Sequence, residues 1–273
     1  MDKLIEDLFN GTKVKTARLE RLLNSILLEY LVDNLSLDGD KIKYTTSNIT
    51  AIETLGKKIS KYMGSAIVDY KKALYTGIKK VVTESQKETI SNSGAAFQDV
   101  IDVSTKKVLD HAAKTLNQKV NLDQVYNQIK QVALSQMQSY DGITLRQLRL
   151  EIKERVVTKG AVSKYFDSWT RDIYSQYQRI TANEVRIGLK LRFAIYSGGT
   201  IDNTRAWCEK HNGKVLHESE IESWRHKNWQ GKRKSGPYNP FHDCGDINCR
   251  HRWLWISDEL AFHKRPELKE KYG

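Results

Sequence analysis

The sequence has little proline and little cysteine, and both are concentrated towards its C-terminal end. Of 273 residues, three are proline, none before Pro237, and three are cysteine, all between Cys208 and Cys249. The absence of proline allows long helices through the first two thirds of the chain. Three cysteines cannot all pair with one another, and their clustering argues against the disulfide framework of a small secreted protein.

Long hydrophobic runs are also missing. The first residues, Met-Asp-Lys-Leu-Ile-Glu-Asp-Leu, contain no apolar stretch of signal-peptide length. No segment elsewhere is apolar over the roughly 20 residues that a membrane-spanning helix requires. We therefore expect a soluble protein made in a reducing compartment, without a membrane partner.

Positive charge is in excess. The chain has 45 lysines and arginines against 33 acidic residues, a net charge of +12 and a pI near 9.4. Such a balance favours a polyanionic partner, nucleic acid first, although a lysine-rich solvated helical surface would give the same composition. The hydrophobic content of 39% is enough for an ordered core in one large domain or two smaller ones.

Apolar residues spaced three and four apart predict a mainly α-helical region over residues 1–190. Phe166, Ile173, Ile180 and Ile187 recur every seven residues and predict a packing seam, made either within the chain or with a second copy. The individual helices are predicted, in approximate bounds, over 14–33, 47–92, 99–118, 122–139, 145–157 and 163–191. The helix over 47–92 would be unusually long, which favours an extended bundle or a kinked pair.

Residues 191–273 change in character and predict a small α+β unit. Asp202 is a candidate cap for a helix that Gly213 ends, and Ser219 with Glu222 has capping-box spacing. The predicted elements are a strand or helix end over 192–197, a helix over 203–211, a strand over 214–216, a helix over 220–230 and a strand over 249–256. The predicted fold is mainly α, with an extended helical body over 1–190 and a small C-terminal α+β unit.

The strand predicted from Cys249 suggests a metal site. Side chains alternate along a strand, so Cys249 and His251 would lie on one face, about 7 Å apart. Cys208 is a third candidate ligand and Cys244 the best fourth, with His211 and His242 as alternatives. A Cys3His zinc site would stabilise a unit too small to depend on its core alone. The other interpretation is a set of buried, reduced cysteines with a packing histidine.

A run of cations precedes this strand. Trp224 and Trp229 are interleaved with five cations and no acidic residue between the first and the last, namely Arg225, Lys227, Lys232, Arg233 and Lys234. The run predicts a surface that binds double-stranded DNA through its phosphates, without sequence preference. A solvated loop would carry the same residues.

Together these residues resemble the C-terminal domain of the phage head morphogenesis family, the minor head proteins typified by the F protein of phage Mu. The matching positions are Tyr196, Gly198, Asp202, Thr204, Arg205, Cys208, Gly213 to Val215 and Asn248 to His251. They cover about 60 residues. The chain departs from the family pattern in His251, where many members have cysteine, and in an insertion between Cys244 and Asn248, and both departures fall among the candidate metal ligands.

The resemblance implies a virion protein rather than an enzyme. Proteins of this family associate with the portal and other capsid proteins, enter the head, and act in head assembly or in handling the packaged DNA. We therefore expect this chain in the capsid interior near the portal, and in the host cytoplasm during assembly.

Two other classes remain open. A metal-dependent nuclease of the HNH or treble-clef kind would use His211-Asn212 or His242-Asp243, but a closed cysteine-rich site leaves no position for substrate. A thiol hydrolase based on Cys208 or Cys249 explains the cysteines singly, whereas a metal explains them together. After these two enzymes, the second class is a general zinc-stabilised nucleic-acid-binding protein.

Overall fold

A computed structural model describes residues 1–94, 98–120, 123–138, 142–158, 161–246 and 249–273. It confirms a mainly α-helical protein with a small strand-containing C-terminal region. The long helices are α1 (Asp2–Asn34), α2 (Thr46–Ser93), α3 (Gln98–Lys119), α4 (Asp123–Met137), α5 (Leu145–Ile152) and α6 (Ala161–Gly188). None of the described helices is long and apolar enough to cross a membrane.

The helices follow the predicted bounds closely except at the start of the chain. α1 begins at Asp2, not near residue 14. Its added part buries Thr12, whose hydroxyl donates to the Leu8 carbonyl at 2.7 Å, and Thr16 is buried at the start of the predicted part. These buried threonines weaken the apolar period on which the prediction depended.

Contacts divide the chain into two compact units. The first contains Met1–Glu6, Tyr75–Lys114 and Arg171–Gly273, and the second contains Asp7–Leu74 and Thr115–Thr170. The first unit therefore includes helical segments together with the C-terminal region. The division at residue 190 as a boundary between independent domains stays a prediction.

The second unit contains a small antiparallel sheet in the order β1 (Leu37–Asp38), β2 (Lys41–Ile42), β3 (Ile143–Thr144). Gly39 takes a φ of 65°, which suits the tight turn between β1 and β2. Thr144 then caps α5 in a capping box with Gln147. The α-helix gives way to a π-helical segment, Lys153–Thr158.

The predicted seam on α6 is partly confirmed. Ile173 and Ile180 are buried, but Ile187 is 54% exposed. The Phe166 side chain lies outside the part that the structure describes. In the same unit, α2 approaches α6 so closely that a Cβ on Gly77 would lie 2.4 Å from the Tyr174 hydroxyl.

The C-terminal region is organised on an antiparallel sheet in the order β5 (Val215–His217), β4 (Phe193–Ser197), β6 (Arg252–Ile256). The segment 192–197 is thus a strand and not the end of α6. Short helices surround the sheet: α7 (Ala206–His211), α8 (Glu218–Glu222) with a 3-10 turn over Ser223–His226, α9 (Pro240–Asp243), α10 (Asp258–Lys264) and α11 (Glu267–Tyr272).

Three local predictions in this region were wrong. β6 begins at Arg252 and not at Cys249, because pairing with β4 starts at Arg252, opposite Ser197. α7 follows Arg205 and receives no side-chain cap from Asp202. The capping box is formed by His217 and Glu220, so the α-helix starts earlier and ends earlier than the predicted 220–230.

Candidate metal centre

Three of the predicted ligands meet in the first unit. Cys208 comes from α7, and Cys249 and His251 come from the loop that leads into β6. One potential ligand atom from each lies within 4.8 Å of the other two, and all three residues are buried. The Cys249 sulfur is 4.0 Å from Nδ1 of His251.

Tyr196 on β4 completes the cluster. Its hydroxyl lies 3.4 Å from the sulfur of Cys208 and 3.4 Å from that of Cys249. Its ring stacks on the His251 imidazole, with centroids 4.8 Å apart and planes at 7°. The side chain is fully buried.

Strand pairing explains why Tyr196 and His251 meet. β4 and β6 are antiparallel, with Tyr196 opposite Trp253, and His251 lies just before β6, beyond the final pair of Ser197 with Arg252. A Cβ on Gly198 would lie 2.8 Å from the His251 Cα, so only glycine allows this approach. The Asn212 side chain holds Gly198 by accepting from its N–H and donating to its carbonyl.

Backbone groups approach the sulfurs just as closely. The N–H of Gly245 donates to the Cys249 sulfur at 3.2 Å, and the N–H of His251 donates to it at 3.4 Å. A Cβ on Gly245 would lie 2.5 Å from the Cys208 sulfur, which again requires glycine. Two N–H donors stabilise a thiolate, the form of cysteine that binds a metal.

The pKa values of the two cysteines in the cluster shift in opposite directions. The pKa of Cys249 is held well below its usual range, chiefly because the Cys208 thiol donates to its sulfur, with His251 as a further donor. The same bond, together with burial, raises the pKa of Cys208. Burial and the neighbouring thiolates also raise the pKa of Tyr196.

The donor set fits a metal ion. Two sulfurs and an imidazole are the ligands that zinc takes in structural sites. Nδ1 of His251 lies 4.0 Å from the Cys249 sulfur, so it is the imidazole nitrogen that faces that sulfur. The group can hold a metal ion.

The remaining candidate ligands lie outside this group. Cys244 is fully buried, but its sulfur is not among the atoms that lie mutually within 4.8 Å. Nδ1 of His211 is 2.7 Å from the Trp207 carbonyl. His242 lies between two asparagine amides, with Nε2 3.2 Å from Asn183 and Nδ1 3.2 Å from Asn239.

The predicted DNA-binding cations fall into two classes. Arg225, Lys232 and Arg233 are engaged in contacts within the chain. The Lys232 ammonium donates to the carbonyls of Trp224, Arg225 and Lys227, and it lies over the rings of Trp229 and Tyr238. Arg233 pairs with Asp246 and Asp243, and Arg225 pairs with Glu222.

Lys227 and Lys234 are exposed, and neither side chain has a recorded partner in the described part of the chain. They are therefore the members of the run that remain available to a phosphate. Trp229 stacks on Trp207 with centroids 4.4 Å apart, and Trp224 is buried, so both tryptophans serve packing.

Three residues of the centre were not among its predicted members. Tyr196 belongs to the family pattern, but its position in the sequence does not indicate that it neighbours the sulfurs, and no local pattern indicates Gly245. Arg179 on α6 was also missed, although its buried guanidinium donates to the carbonyls of Cys249 and His251 at 3.0 and 3.2 Å. Asn248, which belongs to the motif, lies outside the described residues.

Comparison of the chain with models of protein families, with curated proteins and with solved structures gave no significant match. The resemblance to the head morphogenesis family therefore depends on the motif residues alone.

Proposed function

We propose that the protein is a phage minor head protein. In this proposal it binds the portal inside the capsid, contacts other capsid proteins and the packaged DNA, and acts in head assembly and in packaging or delivery of the genome. It performs no catalytic step. Its C-terminal region is stabilised by zinc bound to Cys208, Cys249 and His251.

One observation carries the proposal: residues of the family motif that are far apart in sequence converge on one buried cluster. Tyr196, Cys208 and His251 contribute side chains to it, and Gly198 allows the close backbone approach. Convergence on a closed cluster is expected of a motif that maintains a structure, and it supports a motif match that is more than chance.

The environment of the cluster supports a structural centre over a hydrolytic one. Catalytic zinc keeps a position open for water or substrate, whereas these three residues are 2 to 6% exposed. The histidines that a nuclease would need are occupied by neighbouring groups, His211 by a carbonyl and His242 by two amides. These contacts favour the non-enzymatic proposal over the nuclease alternative.

Co-expression with the portal protein of the same genome tests the proposal. We expect the two proteins to co-purify, and the protein to be present in mature heads analysed by proteomics or cryo-electron microscopy. Failure to co-purify, together with its absence from mature particles, would contradict the assignment. A protein that binds DNA tightly but never the portal would favour a general nucleic-acid-binding protein instead.

Metal analysis tests the zinc separately. Protein purified without chelators should contain about one zinc per chain, and chelation should destabilise residues 196–256 more than the long helices. Hydrogen exchange measured with and without chelator locates the effect. Protein without zinc whose three thiols react freely would contradict the metal centre but not the portal assignment.

A further inference from the structure

We infer that the phenol oxygen of Tyr196 is the fourth ligand of the metal ion. The inference rests on the proposed metal centre, and it does not depend on the portal assignment. The three candidates considered from the sequence were Cys244, His211 and His242, and the structure places none of them in the ligand group. Among the described residues, Tyr196 has a side chain whose oxygen touches both sulfurs.

The distances match a tetrahedral site. With zinc about 2.3 Å from each sulfur and about 2.0 Å from an oxygen, tetrahedral angles place sulfur and oxygen about 3.5 Å apart. The Tyr196 hydroxyl lies 3.4 Å from both sulfurs. In the absence of metal the hydroxyl can donate to one sulfur and accept from a thiol at the other, and these two contacts hold its oxygen beside both sulfurs.

The orientation of the ring is also fixed before any metal binds. Tyr196 stacks on His251 on one side and packs against Trp224 and Trp253, with centroids 5.2 and 4.8 Å away. A ring held in this way keeps its oxygen beside the sulfurs. The Cβ position of Gly245 is 3.1 Å from the same oxygen, so the backbone closes the neighbouring side of the cluster.

The resulting site has two sulfurs, one imidazole nitrogen and one phenol oxygen. Such a set is closed, since four protein atoms satisfy tetrahedral zinc. It leaves Cys244 as a buried packing residue whose backbone accepts a hydrogen bond from Tyr238. It also gives Tyr196 a role that its burial on a strand does not suggest.

Tyr196→Phe tests the inference, because it removes the oxygen and keeps the ring. Tyr238→Phe is the matched control, since Tyr238 is another buried tyrosine of the same core cluster that bonds to a carbonyl and not to a sulfur. Zinc is titrated into metal-free full-length protein, and binding is followed by competition with a chromophoric chelator and by ultraviolet difference spectra. Cobalt(II) substitution reports the ligand geometry.

We expect wild type and Tyr238→Phe to bind one zinc tightly and to show a phenolate difference band. Tyr196→Phe should bind zinc about 10- to 100-fold more weakly and lack the band. Its cobalt spectrum should shift on addition of imidazole, which enters the vacated position, while that of the wild type should not. Equal zinc affinity in Tyr196→Phe, with no phenolate band in wild type, would overturn the inference and leave a three-residue centre. No zinc in the wild type would overturn the centre itself.

Discussion

Single buried polar groups hold the residues of the candidate metal centre in place, and Arg179 is the clearest case. Its guanidinium is 7% exposed and donates to the carbonyls of His242, Cys249 and His251. Burying a charge is costly unless its hydrogen bonds are satisfied. The hydrogen bonds of Arg179 reach residues before and within the loop that carries Cys249 and His251. This side chain therefore connects α6 to the positions of the Cys249 sulfur and the His251 imidazole.

Arg179→Met should therefore reduce both stability and metal affinity. Three carbonyls, two of them in buried hydrogen bonds, would lose a charged donor, which we expect to lower the free energy of unfolding by about 3 kcal/mol. Zinc affinity should fall by about tenfold or more, because the ligands lose their support. Urea unfolding and chelator competition measure the two effects.

Arg186→Met is the control for this variant. Arg186 is also buried on α6, but it stacks on Phe241 and Trp255 and pairs with Glu218. It should lose stability and keep zinc affinity. Equal loss of zinc affinity in both variants would show that Arg179 acts through general stability alone.

His217 gives a prediction about pH. Its Nδ1 accepts from the Ser219 N–H in the cap of α8, and burial lowers its pKa. A lowered folded-state pKa means that its stabilising contribution is present above the unfolded value of about 6.5 and is lost as pH falls below it. His217→Asn keeps a cap acceptor that does not titrate.

Unfolding free energies of wild type and His217→Asn are measured by urea titration between pH 8 and pH 5. We expect the variant to be less stable at pH 8, since the stacking on Tyr272 is lost, and to show a smaller decrease towards acid. Parallel curves would contradict a role for this imidazole.

Among the secondary-structure elements, α2 shows how glycine is used differently at different positions of one helix. At Gly77 the ring of Tyr174 on α6 occupies the space of a side chain, and at Gly56 the ring of Tyr126 on α4 does so. At Gly64 no described atom lies within 4 Å of the Cβ position. Helix propensity alone should therefore determine the effect of replacing Gly64 with alanine, whereas at Gly77 and Gly56 a clash with the tyrosine ring opposes the gain in propensity.

Gly77→Ala and Gly64→Ala should have opposite effects. A methyl group 2.4 Å from the buried Tyr174 hydroxyl overpacks the core, at a cost of about 1–3 kcal/mol. The same change at Gly64 should stabilise by about 0.5–1 kcal/mol, because alanine is the better helix former. Thermal unfolding of both variants measures this, and stabilisation by both would mean that the α2–α6 contact is loose.

For the protein as a whole, the charge of +12 is the main indication of a polyanionic partner. Of the five cations predicted to bind DNA, Lys227 and Lys234 remain available to a phosphate, since the other three make contacts that stabilise the fold. Glutamate at Lys232 or Arg233 would break hydrogen bonds to carbonyls or to Asp246, so it would disturb the loop as well as its charge.

Lys227→Glu with Lys234→Glu is the informative DNA-binding variant. Double-stranded DNA binding should weaken, and the slope of log affinity against log salt should decrease by about 1 for each lost phosphate contact. The control, Lys264→Glu with Lys269→Glu, makes the same change in charge at exposed sites of α10 and α11. Identical salt slopes in all three proteins would show that the run is only a solvated loop.

Properties set by neighbouring residues were predictable from the sequence. The absence of proline and the three-to-four spacing of apolar residues predicted the long helices, since helical hydrogen bonds connect residues four apart. The bounds of α2 and α3 followed to within one or two residues. Three of the ligand candidates were also recognisable, because cysteine and histidine have few reasons to cluster other than a metal or a catalytic site.

Contacts between distant residues were not predictable. The capping box is formed by His217 and Glu220 and not by the predicted pair, and β6 begins three residues later than predicted. Both differences arise because sheet register, and not local preference, fixes where each element begins. Tyr196 reaches Cys249 only through the pairing of β4 with β6, across more than 50 residues of chain. The sequence predicts that Lys232 is a free cation, whereas in the structure its ammonium donates to three carbonyls. In each case the structure is determined by the free energy of burying and pairing a group whose partners are far away in the sequence. Local sequence patterns do not identify such partners.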